Sequence, residues 1–337
     1  MKIATRKLAE WTHVPRLLLD KDSRLIVVAL ALLVLATFIP QIRLPRSTYD
    51  YIVIFDISQS MGVEDYELDG APASRLDYAR AAARKALRDL PCGSRVGWGV
   101  FAEYRTLLLL APVEVCGNYN DLLASLDNID GRMRWANASE ITKGVFWSMR
   151  AAKEVGGNPS LLFLTDGQEA PPLDPSNPLQ MFDDLKPGEV TGWLMGTGGD
   201  APRRIPRIDD NGKRIGYWHA WDVLQRFGGA PSDDAGAQPR EHLSSLREAH
   251  LKDLAQHVGM DYARLNSLDS VSKALRDSGF AHRTPAPTDV FWVPAALALI
   301  LLVIRFWPAM RMEPASARGL HRAPSLLTDR RQVDADL

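Results

Sequence analysis

A chain of 337 residues has room for one large or two ordinary domains, and 40 Lys+Arg against 41 Asp+Glu leave a formal net charge of -1. With no Lys/Arg-dense run in its middle, the chain lacks the electrostatic footprint of a nucleic-acid binder. Two long apolar runs instead make a membrane the first partner to consider.

Residues 1–24 are basic and read as a juxtamembrane or topology segment. Residues 25–42 (LIVVALALLVLATFIPQI) carry no charge and are long enough to cross a hydrocarbon core of about 30 Å. No A-x-A pattern follows them, so an uncleaved anchor is expected rather than a removed signal peptide. Residues 290–310 form a second apolar run, interrupted once by Arg305, and 311–337 make a tail expected to be cytoplasmic. Lys2, Arg6, Lys7, Arg16, Lys21 and Arg24 precede the first run, and Arg311, Arg318, Arg322, Arg330 and Arg331 follow the second. The positive-inside rule then puts both termini in the cytoplasm and exports the middle, in a bacterium into the periplasm.

After an extended linker at Leu44-Pro45-Arg46, Tyr51–Phe55 is an unbroken run of large, mostly β-branched or aromatic residues. It reads as a fully buried strand of a parallel sheet. The acid-rich loop 62–73 leads to a helix over 75–90, whose apolar face is Leu76, Ala79, Ala83, Ala86, Leu87 and Leu90. Strands at 96–102 and 106–112 join through Glu103-Tyr104-Arg105 as an antiparallel hairpin. Cys92 and Cys116 lie twelve residues on either side of Tyr104, so a regular register sets them opposite each other, and an oxidising compartment would join them. Helices over 118–129 and 137–155 follow, then a buried strand at 161–164 ending in Thr165-Asp166-Gly167, and a third at 190–195. The loop 196–200 is glycine-rich but has no Walker lysine, so it reads as a turn rather than a phosphate cradle. Asp-Asn-Gly within 202–221 signals a hairpin, and 222–240 reads as a flexible Gly/Pro/Ala-rich stretch. An amphipathic helix over 242–258 stopped by Gly259, a short strand at 261–265 and a helix over 268–276 complete the order. The result is an α/β fold over residues 50–280, a doubly wound, mostly parallel sheet with one antiparallel edge hairpin, flanked by two transmembrane helices.

The chemistry gathers where two buried strands end. Asp56, Ser58 and Ser60 leave the first strand as a hard-oxygen cluster, and Asp166 leaves another strand into the same crevice, where open α/β sheets bind ligands. A further oxygen is expected from the loop before the helix at 139, with Ser139 the first candidate and Thr142 the second. Two carboxylates and three hydroxyls suit a small hard cation, Mg²⁺ or alternatively Mn²⁺ or Ca²⁺, that keeps part of its water. The charge of such an ion with Asp56 and Asp166 is near zero, so it can still attract a partner's carboxylate. No His, Glu or Lys is obviously placed as a base, and the seven histidines are scattered, so docking rather than hydrolysis is expected.

D-x-S-x-S after a strand resembles the metal-ion-dependent adhesion site of von Willebrand factor A domains. Asp56-Ile-Ser58-Gln-Ser60-Met61, Ser139-Glu-Ile and Thr165-Asp166-Gly167 fall in that family's order and spacing over residues 50–280. One departure is Ser139 where the family usually has Thr, which loses the methyl that fixes the rotamer. Glu64-Asp65, Arg75-Leu76 and the stretch 251–275 look like the membrane-anchored bacterial members encoded beside MoxR-type AAA+ ATPases. The stretch from Leu90 through Cys116, with Asp166-Gly-Gln-Glu-Ala-Pro-Pro, is most similar to the MxaL-type members of methanol-oxidation gene clusters. The resemblance implies a non-enzymatic inner-membrane protein that grips an acidic residue of a periplasmic partner, with a MoxR-type ATPase and other von Willebrand factor A proteins as further partners. It also implies a role in assembling, or loading Ca²⁺ into, a periplasmic dehydrogenase such as methanol dehydrogenase. The alternative is a general MoxR-associated envelope-stress or assembly factor.

Overall fold

The computed structural model describes residues 21–173, 181–209, 211–223 and 240–306; the expectations for 1–20, 224–239 and 307–337 lie outside them. The chain divides into two compact units, one of 42–288 and one drawn from its two ends. Helix α1 (Lys21–Phe38) opens the described chain.

In the 42–288 unit, β1 (Ile42–Thr48) leads into the buried β2 (Asp50–Asp56). A 3₁₀ turn at Gln59–Gly62 follows, and then a small hairpin of β3 (Glu64–Leu68) and β4 (Ala71–Ser74). The expected loop over 62–73 is therefore paired, reversing at Asp69-Gly70, both with positive φ. Ser74 caps α2 (Arg75–Asp89), its hydroxyl accepting from the Asp77 amide at 3.0 Å. The edge hairpin is β5 (Arg95–Ala102) and β6 (Arg105–Glu114). Next come α3 (Tyr119–Asp127), α4 (Ile141–Val155), β7 (Ser160–Thr165) and β8 (Gly192–Gly196). The region 202–218 holds three short strands, β9 (Arg203–Arg204), β10 (Pro206–Ile208) and β11 (Arg214–Tyr217), the last two forming the expected hairpin. β12 (Leu243–Ser244) pairs with β9 and is followed by α5 (Glu248–Val258), β13 (Asp261–Arg264), α6 (Asp269–Leu275) and β14 (His282–Thr288).

The main sheet has the order β13-β8-β7-β2-β5-β6, parallel throughout except for β6, which pairs antiparallel with β5. Successive side chains of a strand leave on opposite faces. Tyr51, Val53 and Phe55 of β2 accordingly pack with α2, α3 and α6 through Leu87, Leu122 and Val271, among others. Ile52 and Ile54 pack the other way, against Val145 and Met149 of α4 and Leu251 and Val258 of α5. Each such fully buried side chain contributes roughly 1.5–3 kcal/mol, which is why β2 carries no polar residue between Asp50 and Asp56.

Three boundaries differ from expectation for physical reasons. The linker at 44–46 is part of β1, which pairs antiparallel with β14 from Ile42↔Thr288 to Thr48↔His282. Residues before Ile141 stay extended because Ser139 bridges Glu103 and Ala170, and α5 starts six residues late because Leu243–Ser244 is used by β9. Gly259 ends α5 in the left-handed conformation, where a Cβ would lie 2.3 Å from the Gly188 nitrogen.

The disulfide expected between Cys92 and Cys116 is present, with 5.2 Å between the Cα atoms. The Glu114 carboxylate accepts from the amides of Gly93 and Cys116 beside it. Partial burial pushes this carboxyl up, but the amide donors of Gly93, Gly117 and Cys116 outweigh it and hold it below its ordinary value.

In the other unit α1 packs against α7 (Trp292–Phe306). Among the described residues no helix is long and apolar enough to cross a membrane. Of the expected spans at 25–42 and 290–310, the described residues form one helix over Lys21–Phe38 and another over Trp292–Phe306. The helix covering the first begins at Lys21, takes three charged residues into its first turn and ends at Phe38 before Pro40. The second is helical over fifteen residues to Phe306, beyond which lies undescribed chain.

Candidate metal centre

Asp56, the last residue of β2, is completely buried. Its Oδ1 accepts from the Ser58 amide at 2.8 Å and its Oδ2 from the Thr165 hydroxyl at 2.7 Å. The parallel register that aligns β2 with β7 brings these two strand ends together. Ser58 stands just before the 3₁₀ turn, which bends the chain so that the Ser58 and Ser60 hydroxyls lie 3.0 Å apart. Ser139 is clamped by paired backbone bonds to Ala170 (2.8 and 2.7 Å), and its Oγ is buried without a hydrogen-bond partner. Ser58, Ser60 and Ser139 line one cavity of about 320 Å³. Three hydroxyls from two loops far apart in sequence therefore share one space, two residues beyond the end of β2 in the case of Ser58.

Thr142 plays another part. Its hydroxyl donates to Glu169 Oε1 at 2.7 Å, and the same carboxylate accepts from the amides of Ile141 and Thr142. Glu169 is in effect an external cap of α4, favoured there by the positive helix end. His250 Nε2, on a half-buried side chain, lies 3.2 Å from the same Oε1.

Asp166 is completely buried too, but its charge is already answered. Its Oδ2 accepts from Arg75 Nη1 at 2.7 Å and from the Ser244 hydroxyl at 2.8 Å, and its Oδ1 from the Gln168 amide. Arg75 is fully buried, and its Nε and Nη2 grip Asp65 at 2.7–3.1 Å. Sequence reasoning missed this arginine as a site residue. The signal was present, since Arg75 stands at helical spacing with Ala79, Ala82 and Ala86, all on the buried face of α2. The glycine-rich loop after β8 exists to admit it: Gly198 has φ +124°, and a Cβ there would sit 2.7 Å from Arg75 Nε. Asp65 also accepts from the Gly199 amide at 2.9 Å.

Burial pushes the Asp56 carboxyl up to about 7, and the charge of Asp166 adds to the shift, while hydrogen bonds from Ser58 and Thr165 oppose it. A cation at this carboxylate would reverse the effect. An unpartnered buried hydroxyl, a hydroxyl pair and a carboxylate held high form an all-oxygen donor set of the kind a hard divalent ion takes. Arg75 and Asp65 cancel each other, so the near-zero balance of such an ion with Asp56 and Asp166 is unchanged. The other cluster of potential ligands, Cys92, Glu114 and Cys116, offers no thiolate because the two sulfurs are bonded to each other.

A mostly parallel open sheet with its polar cluster at the carboxyl ends of β2 and β7 defines a doubly wound α/β domain. Residues 51–168 match the von Willebrand factor type A domain family, and the chain carries such a domain. It is similar to a UPF0353 protein of Mycobacterium bovis (strain BCG / Pasteur 1173P2), 26% identical over 220 residues that cover 62% of this chain and 60% of that one. A UPF0353 protein of Mycobacterium tuberculosis (strain ATCC 25177 / H37Ra) is 26% identical over 206 residues, 58% of this chain and 56% of its own. The chain thus spans less than two thirds of the length of these relatives. Among solved structures, an aerotolerance-related membrane protein from Bacteroides fragilis superposes with a TM-score of 0.43 at 17% identity, covering 67% of this chain and 96% of that one.

Proposed function

We propose that this protein is a membrane-anchored docking protein whose adhesion site binds Mg²⁺, or Mn²⁺ or Ca²⁺, through Asp56, Ser58, Ser60, Ser139 and, through water, Asp166. When bound, the ion supplies an open coordination position for a carboxylate of an exported protein partner. The observation that carries this reading is the buried, unpartnered Ser139 Oγ on the same cavity as the Ser58–Ser60 pair. Docking rather than catalysis is favoured because the groups nearest to a general base, Glu169 and His250, are bonded to each other and to the start of α4. Anchoring is supported by the apolar side chains exposed along α1 and α7, such as Leu30, Phe38, Leu299 and Ile304, while Ala29 and Ala298 are buried. The basic flanks favour cytoplasmic termini and a periplasmic domain, where the Cys92–Cys116 bond would persist.

The similarity of 90–116 to MxaL-type proteins points to assembly or Ca²⁺ loading of a periplasmic dehydrogenase such as methanol dehydrogenase, with a MoxR-type ATPase on the cytoplasmic side. The test is capture of exported proteins by the full chain in Mg²⁺ and in chelator. Capture that needs the divalent ion and is lost in Asp56→Ala is expected. Capture indifferent to both would overturn the docking site, and a metal-dependent partner other than a dehydrogenase would favour general MoxR-associated assembly.

A further inference from the structure

The described residues 202–209 and 211–223, between β8 and the chain leading to α5, build a lobe onto the mouth of the site. Gln59, buried inside the 3₁₀ turn between Ser58 and Ser60, accepts from Trp218 Nε1 at 2.6 Å and donates to Asn137 Oδ1 at 2.8 Å. Pro206 and Ile208 pack so closely on the end of the same turn that a Cβ on Gly62 would lie 3.1–3.2 Å from them. The lobe is therefore fixed to the loop that carries two of the hydroxyls. Ile205, Trp218, Val223 and Pro171 line the same cavity as Ser58, Ser60 and Ser139, so its wall is apolar at one side of the oxygen cluster.

The lobe's charge differs from that of the nearly neutral chain. Residues 202–218 hold five basic side chains, Arg203, Arg204, Arg207, Lys213 and Arg214, against two aspartates. Arg203, Arg204, Arg207, Lys213 and Arg214 are exposed. Trp221 is 80% exposed, an aromatic of the kind that anchors protein interfaces. Asp222 and Glu241 also line the cavity. A carboxylate entering the apolar end would meet them, so that end suits an uncharged side chain, and a ligand's carboxylate belongs at the serine end.

We infer that the 202–223 lobe reads the partner: the site takes an extended acidic peptide segment in which an aliphatic or aromatic residue stands next to the Asp or Glu offered to the ion. The apolar side chain fills the cavity beside Trp218, and flanking acidic residues of the peptide lie along the arginines of β9 and β10. This inference rests on the docking reading above and adds the sequence class that the docking site accepts.

The experiment pans a random peptide library displayed on phage against the full chain in detergent with Mg²⁺, then measures the winners as synthetic peptides. Enriched sequences should be acidic and carry Leu, Ile, Phe, Met or Trp beside Asp or Glu. Their replacement by Ala at that apolar position should weaken binding by about tenfold or more, the loss of one well-buried side chain. Arg204→Glu/Arg207→Glu, both on the exposed surface, should weaken the peptides by a similar factor and leave Mg²⁺ titration unchanged. Val223→Asp should remove the preference for the apolar neighbour. No enrichment, enrichment without the apolar–acidic pair, or unchanged binding to both lobe variants overturns the lobe's role. Binding that responds to the lobe variants but survives chelator and Asp56→Ala instead sinks the metal-docking reading and leaves the lobe as the binding surface.

Discussion

Arg75→Met removes the only cation that touches Asp166 among the described residues, and its cost follows from burial. Both side chains of the pair are fully inaccessible, and Arg75 is held on its other edge by Asp65, itself 5% exposed. Without the guanidinium, Asp166 keeps bonds only from Gln168 and Ser244, and Asp65 loses three contacts. Breaking a buried pair from one side typically costs about 3–5 kcal/mol, because a charge remains uncompensated. For a unit of this size that is a fall in Tm of roughly 10 °C or more. The assay is urea and thermal unfolding of the 42–288 fragment, oxidised, in chelator at neutral pH. Arg75→Met/Asp166→Asn should recover about 1–3 kcal/mol of the loss, as residues in one network couple. Added Mg²⁺ should stabilise Arg75→Met more than wild type, the ion substituting for the lost positive charge near Asp166. A loss below about 1 kcal/mol, or no recovery in the double variant, would refute the claim that this arginine balances the site.

Three further outcomes are expected. Because the Asp56 carboxyl is raised to about 7 in the fold, both states hold its proton below about pH 4, and the native state alone holds it up to about 7. Its contribution therefore falls between those values by at most about 4 kcal/mol, so metal-free wild type should lose stability relative to Asp56→Asn over that window, as read from urea midpoints across pH. Gly198→Ala, placing a Cβ 2.7 Å from Arg75 at φ +124°, should cost about 1–3 kcal/mol and be partly relieved by Arg75→Met, as measured by the same unfolding. Reduction of Cys92–Cys116 should cost about 3 kcal/mol, and labelling of denatured, unreduced protein should find no thiol.

Much of the fold is legible because its determinants are local. The buried run Tyr51–Phe55, the hairpin about Tyr104 and the stop at Gly259 each follow from side-chain volume, turn length or φ. Pairings between distant segments are not legible in this way. β1 meets β14 across more than two hundred residues of chain, and nothing in IRLPRST names HRTPAPT as its partner. The candidate site divides along the same line. Asp56, Ser58, Ser60 and Asp166 announce themselves at strand ends, but the choice between Ser139 and Thr142 depended on Glu169, a carboxylate 27 residues beyond Thr142 that takes its hydroxyl. Arg75 was hidden by its charge: an arginine on the apolar face of α2 reads as an irregularity until Asp65, Asp166 and Gly198 are seen around it.

The measurement closest to the central claim is calorimetric titration of Mg²⁺, Mn²⁺ and Ca²⁺ into the metal-free protein, wild type and Asp56→Ala, with Ser139→Thr beside them. Wild type is predicted to bind one divalent ion, Asp56→Ala to bind none while unfolding cooperatively, and Ser139→Thr to bind at least as tightly, since the added methyl restricts the hydroxyl that Ser139 buries without a partner. A wild-type protein that takes up no divalent ion, or an Asp56→Ala variant that binds as wild type does, would contradict the account.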